Sequence, residues 1–186
     1  ILLIACVIIL VVIMSIKGNS NTDTNSFKSS GDVKKMVKSI YNELGDKLPE
    51  LAFQNVDTSL DSLKSYTGLS DNSNIDFMVV SEPEMNAQAY SLVALKVKDA
   101  SKIESMKQEM YDNIDMAKWI CVSAEKLYIT NSGDLIFMVM SVDEWATPVY
   151  NSFKKYVNNN IGKELTKDEG ENIKLPDELL QTPEDN

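Results

Sequence analysis

The sequence predicts an α+β fold: a two-layer domain with helices covering one face of an about four-stranded antiparallel sheet, preceded by one N-terminal transmembrane helix. Three observations predict it. Residues 33–44 carry apolar side chains at helical spacing, residues 75–80 and 135–140 are dense in β-branched and apolar residues, and the first sixteen residues are almost wholly apolar.

Residues 1–17 are read as the anchor. Twelve of the first sixteen residues are Ile, Leu or Val. At about −0.5 kcal/mol each they favour insertion by roughly 6 kcal/mol. Sixteen helical residues span roughly 24 Å, against a hydrocarbon core of about 30 Å. The sequence opens on Ile, so further N-terminal residues are expected to complete the span. Two other readings stay open. A cleaved signal peptide needs small residues at its cut site, and Ser15-Ile16-Lys17-Gly18-Asn19 lacks them. Leu3-Ile4-Ala5-Cys6 resembles a lipoprotein signal, yet ten more residues, nearly all apolar, follow Cys6. With only Lys17 beside the span, charge does not set its orientation.

Residues 18–31 (GNSNTDTNSFKSSG) are polar and are expected to form a flexible stalk. The folded domain is expected over 32–158, long enough for one core. Asp32 caps a first helix, with Val33, Met36, Val37, Ile40, Tyr41 and Leu44 on its apolar side and Gly45 and Pro49 beyond it. Thr58 to Asp61 has capping-box spacing for a short second helix, with Leu60 and Leu63 inward and Gly68 as its stop.

Ile75–Val80 and Tyr90–Val97 read as strands joined through Ser81-Glu82-Pro83-Glu84. Ser101-x-x-Glu104 starts a third helix with Ile103, Met106, Met110, Ile114 and Ala117 inward. Leu127–Thr130 runs into Asn131-Ser132-Gly133-Asp134, a hairpin signal. The following strand, 135–140, is apolar throughout, which is the pattern of a central strand buried on both faces. A last helix starts at Ser141-x-x-Glu144 or at Thr147-Pro148, burying Val149, Phe153, Tyr156 and Val157. The order is therefore ααββαββα. Residues 159–186 are acidic, poor in aromatics, and expected to be a disordered tail.

Formal charge is −10, from 18 basic and 28 acidic groups; every basic residue is Lys, and there is no His. Half of the excess, −5, falls in 160–186. Binding to a phosphate backbone needs clustered cations, so no nucleic acid is expected. Without His and Arg, the commonest general base and the bidentate anion fork are missing. Cys121 is the lone cysteine outside the anchor, so no disulfide forms within the domain. Its neighbours Trp119 and Ile120 predict burial.

The segment Tyr90-Ser91-Leu92-Val93-Ala94-Leu95-Lys96-Val97-Lys98-Asp99 and the hairpin from Lys126 to Val139 resemble the bacterial family known as domain of unknown function 4358. The likeness covers about residues 32–141. It implies an extracytoplasmic domain held by a membrane or lipid anchor, and implies no activity and no functional residues.

No nucleophile elbow, phosphate loop, dinucleotide fingerprint or C-x-x-C pair is present. Ser59 and Ser62-x-Lys64 have no organised context. Asn72, Asn74 and Asp76 mimic the first positions of a calcium loop, but Phe77 and Pro83 stand where Gly and Glu are needed. Asp168-x-Gly170-x-Asn172 fails in the same way, at Ile173 and Leu179. Both read as a turn and a solvated tail. Glu82 and Glu84 flank Pro83 and form a carboxylate pair, which in an exposed loop is ordinarily solvated. Met78, Met106, Met110, Met138 and Met140 fall at core spacings and read as packing. No catalytic, cofactor-binding or metal-ligating residue is therefore assigned, and no cofactor. The expectation is a non-catalytic module on the membrane's far side with a protein or envelope partner. A sensor of a small ligand or divalent cation, and a His-independent hydrolase using Glu82 and Glu84, are the alternatives.

Overall fold

The computed structural model describes residues 27–84 and 87–169. The expected anchor, residues 18–26 of the expected stalk and residues 170–186 lie outside them, whereas the rest of that stalk is folded: Phe27 is buried in the core, Ser29 is a helix cap, and Ser30 and Gly31 are helical. Among the described residues no helix is long and apolar enough to cross a membrane.

The domain is α+β, built on one six-stranded antiparallel sheet with four α-helices. In chain order the elements are α1 (Ser30–Leu44), β1 (Leu51–Phe53), α2 (Leu60–Thr67), β2 (Ile75–Pro83), β3 (Tyr90–Val97), α3 (Ile103–Asn113), β4 (Lys126–Ser132), β5 (Leu135–Ser141), α4 (Asp143–Tyr156) and β6 (Leu165–Asp168). The strands lie in the order β1-β2-β3-β5-β4-β6. The centre is β3 against β5, with Tyr90 opposite Ser141 and Lys96 opposite Leu135. Gly133, at φ +56°, turns the β4–β5 hairpin where the sequence predicts it.

Two strands were not expected, and both are edges. β1 has three residues and pairs Leu51 to Phe53 with Pro83 to Ser81. Three residues carry no periodicity to read. β6 carries a single apolar side chain, Leu165, in a charged context. The expected tail from 159 thus returns to the sheet and pairs with β4. A buried cation holds the return. The Lys107 ammonium, fully buried, donates to the Lys163 carbonyl at 2.7 Å and to Asn131 Oδ1 at 2.8 Å, with the Glu104 carboxylate 2.7 Å away.

The helices also cover both faces rather than one. Strand side chains alternate between faces, and here both sets are apolar. Met78, Val80, Val93, Leu95, Met138 and Met140 share a core with Leu63 of α2 and Ile103, Met106 and Met110 of α3. Val79, Leu92, Ala94, Phe137 and Val139 share the other core with α1 and with Val149 and Phe153 of α4. The Phe137 and Phe153 rings stack with centroids 3.9 Å apart. The two-sided burial read in 135–140 was thus the better guide to the layers than the one-face sheet.

Helix ends differ locally. Ser29, not Asp32, caps α1: its hydroxyl accepts the Asp32 N–H. Its last turn reaches Tyr41, whose hydroxyl meets that of Tyr90 at 3.1 Å. Burial pushes the Tyr41 phenol up to about 12. Ser59 caps α2, and Leu60 is half exposed instead of inward. A 3₁₀ turn at Ala100–Lys102 precedes α3, which stops at Asn113, so Ile114 and Ala117 lie beyond it. α4 begins at Asp143, whose N–H donates to the Glu125 carboxylate at 3.0 Å. That cap comes from across the fold, so the local motifs at Ser141 and Thr147 could not show it. Tyr156, expected on the buried side, is 40% exposed.

Candidate functional site

The polar cluster on the α2–α3 face centres on Lys118, in the irregular connection between α3 and β4. Even-numbered residues of β2 and odd-numbered residues of β3 point to this face, which brings Glu82 and Ser91 up beneath α2. The Lys118 ammonium pairs with Glu82 at 2.6 Å and lies 3.4 Å from the hydroxyl of fully buried Ser91. It also stands 4.9 Å from the Tyr66 ring centroid and 5.2 Å from that of Trp119. An ammonium held by a carboxylate and two aromatic faces is well satisfied. The Tyr66 phenol is pushed up, chiefly by burial and then by the Glu82 charge.

Three depressions surround this cluster. A groove of about 840 Å³ runs between α2 and the end of α3, lined among others by Leu60, Asp61, Lys64, Leu69, Asp115 and Lys118. Hollows of about 440 and 400 Å³ lie on either side of Tyr66, one toward Phe53 and Glu82, the other toward Val56 and Ser62. The groove is tight at its waist: a Cβ on Gly68 would stand 2.9 Å from the Asn113 backbone.

The residues singled out in the sequence do not converge on one chemical centre. Glu82 is committed to Lys118, while Glu84 stands exposed just past the end of β2. Ser59 and Ser62 both donate to the Asp57 carboxylate, at 2.6 and 2.8 Å, and with the Ser59 N–H they hold it below the usual carboxylate range. Their neighbour Lys64 faces the groove instead.

The oxygens of 71–76 form turns rather than a ligand ladder. Asp71 accepts the Ser73 N–H at 2.8 Å, which keeps its carboxyl acidic. Asn72 donates to the Thr58 carbonyl, and Asn74 exchanges bonds with the Asp99 backbone. Asp168 pairs with Lys126, and Asn172 lies outside the described residues. The five core-spaced Met are buried together with Met116 on the α2–α3 face, as expected for packing.

Cys121, expected to be buried, is exposed and has φ +63°. Ile120 beside it is 73% exposed. Residues 114–125 form no regular element, so no strand or helix face turns these side chains inward. Sequence reading also missed Lys118 and Tyr66. Their significance lies in contacts between distant segments, and Lys118-Trp119 sits where the chain has no periodicity to draw attention to it.

Chemically, the cluster ties the α3–β4 connection to the sheet and shapes the groove beside it. No family model, curated protein or solved structure matches this chain. The resemblance noted above therefore rests on its residues alone.

Proposed function

We propose that this protein is a non-catalytic interaction module, held on the far side of a membrane by residues 1–17 and presenting its α2–α3 face to a protein or envelope partner. The observation that carries the reading is the polarity of the domain. α1 starts at Ser30 and runs toward the end of the sheet where Tyr41 meets Tyr90 and where Leu51 pairs with Pro83. Its 15 residues are about 22 Å long. An anchor preceding α1 would thus join the domain at one end, while Glu82, Lys118 and Tyr66 gather toward the other. The clefts beside α2 and α3 lie on the sheet face opposite α1, where a partner can reach them.

The experiment is photo-crosslinking from position 120 in intact membranes, followed by mass spectrometry. The reading expects the same adduct in repeated preparations and its absence when the photoreactive group stands at Lys28. No reproducible adduct from 120 would contradict it.

A second reading, a carrier of a small ligand, is favoured by the groove alone, whose volume falls within the range of small-molecule sites. A thermal-shift screen of the full chain with cell-wall precursors and divalent cations tests it. The absence of any shift would remove it.

A further inference from the structure

The groove between α2 and α3 has a one-sided chemistry. Its apolar element is Leu60, half exposed at the first turn of α2, with Leu69 as the floor. Its exposed rim carries Asp61 and Asp115, and Asp57 and Glu84 stand near by around Tyr66. Among the described residues none of these four carboxylates has a lysine within ion-pairing distance. Of the two lysines on the groove, Lys118 is neutralised by Glu82. Only Lys64 remains to offset the rim. An apolar seat inside an under-compensated acidic rim complements a segment that alternates apolar and cationic side chains. The net charge of −10 adds long-range attraction for the same class of partner.

We infer that this groove docks a basic amphipathic segment of a protein partner, with an apolar side chain against Leu60 and Lys or Arg side chains on Asp61 and Asp115. The inference rests on the interaction-module reading and names its partner's chemistry. Lys118 has a distinct part in it. With its charge spent on Glu82, it shapes one wall of the groove without repelling a cationic guest.

The test uses the full chain in zwitterionic nanodiscs, with empty nanodiscs as the blank. The probes are a fluorescent helical peptide of Leu and Lys and its Leu and Glu counterpart, read by anisotropy. The Leu/Lys peptide is expected to bind, more weakly as salt rises. Asp61→Asn with Asp115→Asn should weaken it about tenfold, which is about 1.4 kcal/mol. Leu60→Ser should weaken it even at high salt, where only the apolar contact remains. Asp46→Asn with Glu144→Gln, the same charge change at exposed sites away from the groove, should leave affinity unchanged.

Equal loss from both double variants would reduce the effect to net charge and overturn the inference. Equal binding of the Leu/Glu peptide would do the same. If the groove variants bind normally while the crosslink from position 120 persists, the groove assignment falls and the module reading stands. If the crosslink is also absent, both fall.

Discussion

Gly68 shows how one residue shapes the groove. It ends α2 at φ +77°, a left-handed conformation that costs a side-chain-bearing residue about 1–3 kcal/mol. A Cβ there would also press on the Asn113 backbone, which is not a flexible side-chain tip. Gly68→Ala is therefore expected to lower Tm by roughly 3–10 °C in a thermal melt. An unchanged Tm would mean that Gly68 neither holds a left-handed conformation nor packs against the Asn113 backbone. Glu164 is informative in a different way. The Tyr150 hydroxyl donates to it at 2.6 Å, and Lys154 stands 3.3 Å away. Together they hold its carboxyl below the usual glutamate range, the tyrosine first. A carboxyl whose folded value is depressed adds stability above its unfolded value and loses it as pH falls through the folded one. Tyr150→Phe should lower Tm at pH 7, and the melting curves of variant and parent should converge below about pH 4, where unfolded carboxyls are protonated. A constant gap down to pH 2 would show that the hydroxyl acts only through packing.

At the scale of elements, β6 is the most informative. Little in its sequence marks it as a strand, yet Lys107 sends a fully buried ammonium to the carbonyl of Lys163 just before it. Leaving an acceptor without its donor inside a protein costs about 1–3 kcal/mol. Lys107→Met keeps most of the volume and leaves the Lys163 and Asn131 oxygens without their donor. The variant should lose hydrogen-exchange protection first at 165–168 and only later in β3 and β5. Simultaneous loss in all strands would place Lys107 in the global core instead. The contrast with the central elements explains what was legible. β3 and β5 announce themselves because both faces of each strand are apolar, and α1 because Val33, Met36, Val37 and Ile40 repeat at helical spacing. β1, β6 and the start of α4 were illegible because distant groups define them: Ser81 to Pro83, the strand β4, and the Glu125 carboxylate. The site shares that illegibility. Glu82 was singled out as a possible acid, but its partner lies 36 residues away at Lys118.

At the scale of the whole molecule, the proposal unites an apolar leader, a two-faced sheet domain and a net charge of −10 in one polarised object. In the proposed arrangement the tether would enter at α1 on one face of the sheet, and the clefts lie on the other face. If the proposed basic partner docks on this acidic surface, association should slow as ionic strength rises. Everything in this arrangement depends on residues 1–17 partitioning into lipid, because a freely diffusing domain has no far side to present. Flotation of membranes from cells that express the full chain, washed in carbonate, measures that most directly. The account predicts that the chain floats with the lipid and is released only by detergent. Recovery of the intact chain in the carbonate-soluble fraction would contradict it.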